Sequence, residues 1–136
     1  MTTARDLMTE TPDFVDASTT VLEVAKKLAQ GNYGALPVCD GDRLTGMITD
    51  RDIVVKVLAE GKDPSSTTVG DLGTSEVVTI GADDSVEEAM RAMSEHQVRR
   101  LPVIDGDKMV GMLAQADLAR SGNDKGTGDT VQAISR

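Results

Sequence analysis

Cys39 and His96 are the only cysteine and the only histidine of the chain, so the side chains most often used as nucleophiles, metal ligands or proton shuttles each stand alone. One cysteine can make neither an intrachain disulfide nor a cysteine-built zinc site, and it suits a reducing compartment. Serine, histidine and aspartate occur without a nucleophile-elbow context, and the segments near 61–63 and 122–125 do not spell a phosphate loop. Hydrolytic or metal catalysis therefore has no positive signal. What remains is a small set of polar residues at element ends: Thr49 with Asp52, Asp117, and the basic pair Arg99-Arg100. On their own the aspartates read as helix-start groups, favoured there by capping and the helix dipole. Thr49 alone reads as a strand-favouring residue, and Arg99 and Arg100 as a solvated pair facing opposite ways on a strand. Met47, Met90, Met93, Met109 and Met112 recur at core spacing and read as packing residues.

The scaffold that must position these groups is built from 136 residues, 39% hydrophobic and 27% charged. That is one domain's worth of ordinary globular chain, which excludes a collagen-like, wholly disordered or membrane-embedded protein. With 14 basic and 23 acidic residues the net charge is −9, which disfavours non-specific attraction to nucleic acid or an anionic membrane. Tyr33 and Phe14 are the only aromatics, so aliphatic and methionine packing must carry the core. The start lacks a basic region followed by an apolar stretch, and no run of eighteen apolar residues occurs; the chain reads as soluble and cytoplasmic.

Sliding the sequence along itself by 65 residues aligns 4–53 with 69–118, without a gap and with fifteen identities. Leu36-Pro37-Val38 falls on Leu101-Pro102-Val103, Asp40-Gly41-Asp42 on Asp105-Gly106-Asp107, Gly46-Met47 on Gly111-Met112, and Asp52 on Asp117. Two long copies point to a pseudo-twofold pair rather than an open array. Each copy repeats the same local signals. Thr20-Val21-Leu22-Glu23 and Ser85-Val86-Glu87-Glu88 read as capping boxes at helix starts, and apolar residues follow at i, i+3, i+4 and i+7. Gly31 is expected to end the first helix. Ala35–Cys39 and Arg100–Ile104 read as strands, each joined by an Asp-Gly turn to a second strand, Leu44–Thr49 or Met109–Ala114. Arg51–Ala59 follows as a helix with Ile53, Val54, Val57 and Leu58 on one side and Gly61 as its stop. A short strand is expected near 13–16 and 77–80. Residues 1–62 form copy one, 63–68 a polar connector, 69–120 copy two, and 121–136 a Gly-, Ser- and Thr-rich tail expected to be mobile.

These strings resemble the CBS motif, named after cystathionine β-synthase, and their tandem arrangement resembles a Bateman module. The resemblance is carried by Gly34-Ala35-Leu36-Pro37-Val38 with Gly46 through Asp52, and by His96 through Val103 with Gly111 through Asp117. More narrowly, the chain is similar to small stand-alone actinobacterial CBS-pair proteins of the hypoxic-response type. The resemblance implies an α/β (α+β) fold: two β-α-β-β-α motifs packed as a pseudo-twofold pair with two clefts. It also implies adenosine-containing ligands, with AMP, ADP, ATP, NAD or S-adenosylmethionine as regulatory ligands and none required as a cofactor. In the family's Gly-h-h-Thr/Ser-x-x-Asp pattern a carboxylate accepts from the ribose hydroxyls, while the Thr hydroxyl and helix-start amides meet a phosphate. Carried over, this makes Thr49 and Asp52 the first site, with Gly34, Ala35 and Ile48 framing the adenine. Arg99 or Arg100, together with Arg51, would neutralise phosphate there. The second site comprises Val98, Leu113 and Asp117, but Ala114 stands where Thr is expected, so unequal sites are expected, the Asp52 site being the stronger for nucleotides.

Two functions compete. One is a non-catalytic regulatory module binding an adenine nucleotide; the other is a ligandless homodimeric interaction module in a stress response that recruits another protein. In both, the resemblance implies a homodimer, and the net charge leaves no nucleic acid and no membrane as expected partner.

Overall fold

The computed structural model describes residues 1–10, 13–73 and 77–120; the expected tail at 121–136 lies outside the described residues. In chain order the elements are α1 (Ala4–Leu7), β1 (Thr9–Glu10), α2 (Val21–Gly31), β2 (Ala35–Asp40), β3 (Arg43–Thr49) and α3 (Asp50–Ile53). One turn of π-helix follows at Val54–Leu58. The rest of the chain forms α4 (Val69–Leu72), β4 (Ile80–Gly81), α5 (Val86–His96), β5 (Arg100–Asp105), β6 (Lys108–Ala114) and α6 (Gln115–Arg120).

The two compact units do not follow repeat order. The first twelve residues group with the chain from Val78 onward, whereas Asp13–Val77 forms the other unit. In the Asp13–Val77 unit, β2 and β3 make an antiparallel hairpin, and Val15 alone pairs in parallel with Val38 at the expected first strand. The amphipathic helix α2 buries Val21, Val24 and Leu28 against Leu36, Val38, Ile48, Ile53, Val57 and Val69. Each such aliphatic side chain contributes about 1.5–3 kcal/mol when fully withdrawn from water. In the other unit β4 runs parallel to β5, β5 antiparallel to β6, and β1 antiparallel to β6. Here α5 buries Val86, Ala89, Met90 and Met93 against Leu101, Val103, Leu113 and Leu118.

Repetition extends to backbone irregularities. The hairpin register shifts at Val38/Cys39 in one copy and at Val103/Ile104 in the other, positions exactly one repeat apart. Gly41 and Gly106 occupy the turn with φ of +64° and +69°, which glycine adopts without a Cβ penalty. The end of α2 differs from expectation. Gly31 is the last helical residue, and Asn32 takes the left-handed cap at φ 56°, matched by Gln97 at φ 55° after α5. Asn tolerates that region through its short polar side chain. Gly31 is needed for a different reason: a Cβ there would fall on the Tyr33 ring.

The helix starts also depart from the simple reading. Thr20 and Ser85 accept from the Glu23 and Glu88 amides at 3.2 Å as expected, but those glutamates lie toward Lys26 and Arg91 instead of closing a box. Complete boxes occur at three short helices the repeat alignment passed over or read otherwise: Thr3/Asp6, Thr49/Asp52 and Thr68/Asp71. The connector is tied down. Pro64 and Thr67 carbonyls accept from the Leu22 and Val21 amides, satisfying donors at the start of α2. Thr2 does the same for Val86 at the start of α5. The α1 amides of Ala4 and Arg5 donate to the Asp84 and Ala82 carbonyls at 2.9 Å, and those of Val69 and Gly70 in α4 donate to Thr19 and Ala17. Arg5 adds ion pairs to Asp83 and Asp105.

The stripe expected on the last helix of copy one splits. Ile53 and Val57 enter the core, while Val54, Val55 and Leu58 are about half exposed, at 54%, 49% and 57%. Ile53 and Val57, four residues apart, hold the centre of the buried face, and Val54 and Leu58 lie one position further round it; the segment is a π turn in which Ala59 donates to Val54 five residues back. Gly61, at φ +72°, ends the segment as expected.

Deleting residues 1–8 is expected to raise amide hydrogen exchange at Ala82–Ala89 and across β6 while leaving β2 and β3 protected, because α1 serves the unit made by copy two. Equal loss of protection in both hairpins would show that α1 is not assigned to one unit.

Candidate functional site

In the Asp13–Val77 unit the end of β3 lies beside the start of β2, since Thr49 pairs with Ala35 and Ile48 with Leu36. The Asp50 amide donates to the Gly34 carbonyl at 2.9 Å, which closes the junction. The capping box is reciprocal: Thr49 N–H donates to Asp52 Oδ2 at 2.9 Å, and Asp52 N–H donates to Thr49 Oγ1 at 3.0 Å. Lys56 Nζ stands 3.4 Å from Asp52 Oδ1, one turn along. Burial raises the Asp52 carboxyl's pKa, but the Thr49 amide and hydroxyl and the Lys56 ammonium outweigh it, so the group sits below the usual carboxylate value. Gly34 is open: a Cβ built there would meet only Asp50 Oδ2, at 3.9 Å. Arg51 is exposed on α3. Ile48 is 1% exposed and belongs to the core cluster.

The other unit repeats this junction with altered chemistry. Arg100 pairs with Ala114 and Leu101 with Leu113, and the Gln115 amide donates to the Arg99 carbonyl at 2.8 Å. Ala114 N–H donates to Asp117 Oδ2 at 2.8 Å, so the carboxylate half of the box survives while the hydroxyl half is gone. Arg120 holds Asp117 Oδ1. Asp117 is 5% exposed and Leu113 fully buried. Val98 packs on the core, Arg99 is exposed and Arg100 half-buried.

Thus the structure brings Gly34, Ala35, Thr49, Arg51 and Asp52 together in one unit, and Val98, Arg99, Arg100 and Asp117 in the other. It places Ile48 and Leu113 beneath these junctions, in the two cores. Sequence reading missed Lys56 and Arg120, the cations on the two aspartates; their signal was the helical spacing of three or four residues. An open pocket of about 370 Å³ lies against α2, lined by Ala25, Leu28, Ala29, Tyr33, Asp50 and Ile53 among others. It touches the junction only at Asp50.

Two strand–helix junctions, each with an aspartate capping its helix and a Pro-containing hairpin strand alongside, define a duplicated module. The CBS domain family model matches residues 4–59 and 69–124, and the chain belongs to the CBS-domain family. It is 46% identical over 121 residues to Hypoxic response protein 1 of Mycobacterium tuberculosis, spanning 88% of this chain and 85% of that one. A crystal structure of Hypoxic Response Protein I with two coordinated zinc ions superposes with a TM-score of 0.77 at 45% identity, covering 89% of this chain and 99% of that one. CBSX2 in complex with AMP gives 0.75 at 28% identity, with 89% and 96% covered. The CBS domain pair of MJ0100, in complex with 5′-methylthioadenosine and S-adenosyl-L-methionine, gives 0.70 at 29%, with 88% and 98% covered. Among the described residues no three His, Cys, Asp or Glu side chains gather to hold a metal ion. Cys39 is buried, and burial followed by the nearby Asp42 pushes its thiol pKa up.

Replacing Asp52 by Asn is expected to cost about 0.5–2 kcal/mol at pH 7, the range for a lost helix cap. Because the folded carboxyl titrates below its unfolded value, its contribution is complete above about pH 4 and disappears as pH falls through the folded pKa. Urea unfolding of both proteins at pH 7 and pH 3 checks this; a gap that stays constant with pH would place the effect in packing rather than charge.

Proposed function

We propose that the protein is a non-catalytic regulatory module that binds adenosine-containing ligands of the AMP/ATP class at the β3–α3 junction and, more weakly for nucleotides, at the β6–α6 junction. The observation that carries this reading is the complete Thr49/Asp52 box beside the open Gly34–Ala35 backbone. Asp52 accepts from the ribose hydroxyls through the oxygen that faces Lys56, the other being held by Thr49. The Thr49 hydroxyl and the α3 amides meet the phosphate, and backbone groups at Gly34 and Ala35 read the base edge. Arg51, exposed on α3, supplies positive charge at the β3–α3 junction. The AMP complex of CBSX2 and the methylthioadenosine and S-adenosylmethionine complex of MJ0100 support the ligand class. NAD and ADP belong to the same panel.

Ala114 removes the hydroxyl at the second junction, so phosphate is held less well there. Regulation, and a role in stress response, follow from the likeness to Hypoxic response protein 1. A cytoplasmic location belongs to the proposal, since the single buried thiol suits a reducing compartment.

The exposed Val54, Val55 and Leu58 favour a second reading, a homodimer acting through protein contacts without a ligand. The two are separated by thermal denaturation with AMP, ADP, ATP, NAD and S-adenosylmethionine. A ligand at a hundredfold excess over Kd adds about 2.7 kcal/mol. A rise in midpoint with at least one member, reduced in Asp52→Ala to what the weaker junction supplies, is the expected result; a flat response across the panel leaves the ligandless reading. Sedimentation at micromolar concentration is expected to show a dimer that Leu58→Asp dissociates, and a strict monomer before substitution would defeat the assembly.

A further inference from the structure

The pocket against α2 lies wholly within the Asp13–Val77 unit. At about 370 Å³ it is as large as the smaller ligand clefts, which run upward from about 300 Å³. Its walls are aliphatic, with Ala25, Leu28 and Ala29 from α2 and Ile53 from α3. Tyr33 supplies the one aromatic surface, and it is fixed in place. Its amide donates to the Leu28 carbonyl at 2.9 Å, its hydroxyl donates to Asp13 Oδ2 at 3.4 Å, and its ring lies where a Cβ on Gly31 would stand. Asp50 is the one charged residue of the lining. Its Oδ1 accepts from the Arg51 amide at 2.7 Å, while Oδ2 lies 3.9 Å from where a Cβ on Gly34 would stand and takes no hydrogen bond among the described residues.

The repeat shows what closes such a space. One period on, Met90 stands for Ala25, Val98 for Tyr33 and Gln115 for Asp50. Met90 is 7% exposed and packs in the core of its unit, as suits a long, flexible side chain that fills irregular gaps. Copy two thus fills with its own side chain what copy one leaves open, and copy one alone sets a carboxylate and an aromatic ring beside the opening.

We propose that this pocket is a binding site for a small organic cation, an alkyl- or arylammonium whose apolar body lies against Ala25, Ala29 and Tyr33 and whose ammonium meets Asp50. The acid decides the sign of the occupant. A phosphate or carboxylate beside Asp50 is repelled, and a neutral donor gains only an uncharged hydrogen bond. The ring adds attraction for a cation over its face. Asp50 is exposed, so the charge contributes modestly and is screened by salt, and the apolar walls carry most of the affinity. Adenosine binding is not required for any of this.

Titration of the full chain with phenethylammonium and with 2-phenylethanol, followed by backbone amide chemical shifts, tests the site. The shifts are expected to concentrate at residues 25–33 and 50–54. At low salt the amine is expected to bind about fivefold more tightly than the alcohol, a preference that narrows as salt is added. Asp50→Asn is expected to bring the two ligands within about twofold of each other while the alcohol keeps its affinity. Ala25→Met, which installs the residue that copy two carries, is expected to weaken both at least about tenfold. Shifts scattered over the surface, or an amine preference that persists in Asp50→Asn, would show only the general attraction of a chain of net charge −9 for cations, and overturn the proposal. Affinities unchanged in Ala25→Met overturn it too, as does the absence of binding by either ligand. None of these outcomes touches the adenosine reading, which the nucleotide panel tests by itself.

Discussion

Every helix in this chain begins with amides that have no partner inside the helix, and the way those amides are satisfied organises the rest of the molecule. Hydroxyl caps from Thr20 and Ser85 start the two long helices, and the Val21 and Val86 amides reach carbonyls of Thr67 and Thr2 in segments remote in sequence. The same segments then enter α4 and α1, whose own first amides return to the carbonyls just ahead of α2 and α5. Each long helix start is therefore laced to a short helix start by bonds in both directions. That lacing explains why the first residues of the chain join the unit made by copy two. It also explains why the polar connector is ordered: its carbonyls are the partners that α2 requires.

The candidate sites grow from the same requirement. At the β3–α3 and β6–α6 junctions the strand ends and the helix begins within one residue, so the cap must come from a side chain immediately at hand. An aspartate three residues on is the economical solution, and it leaves one carboxylate oxygen committed to the backbone and the other turned to a cation, Lys56 or Arg120. At Asp52 burial is outweighed and the carboxyl's pKa is lowered, chiefly by the Thr49 amide and hydroxyl and by Lys56, and a ligand hydroxyl reaching its second oxygen would meet a carboxylate already fixed by the backbone. Preorganisation of this kind reduces the ordering cost of binding. It also couples site and stability, because removing the carboxylate removes a helix cap.

Much of this was legible in the residues. The 65-residue period, the hairpins, the Asp-Gly turns and the amphipathic helices all follow from spacing and turn chemistry. The family likeness on Leu-Pro-Val and Gly-Met strings marked the two junctions. What stayed hidden depends on contacts that no local pattern encodes. Gly31 looked like a helix stop because glycine usually is one; its function is to admit the Tyr33 ring, a contact two residues away across the helix end. The Thr-x-x-Asp strings at 3–6 and 68–71 carry the capping signature, but helices of four residues have no apolar periodicity to draw attention to them. Val54 and Leu58 carry the same i, i+4 spacing as the buried Ile53 and Val57 yet lie half exposed, and the pattern alone does not say which of the two adjacent stripes faces the core. The pocket against α2 is a property of what surrounds Ala25 and Ala29, which only coordinates contain.

Comparing the copies separates what the backbone demands from what it leaves free. The strand register shift, the left-handed helix caps, the glycine turns and the amide-to-carbonyl laces recur at positions 65 residues apart. Side chains at the junctions do not: Thr49, Asp50 and Arg51 become Ala114, Gln115 and Ala116, and the small Ala25 and Ala29 beside the α2 pocket become Met90 and Ser94. Backbone groups must be paired wherever they are buried, so changes that unpair them are costly in both copies alike. A residue whose own amide is already satisfied can change its side chain without disturbing the frame. At the junctions and beside the α2 pocket this lets the two halves of a duplicated module differ in chemistry while retaining one fold.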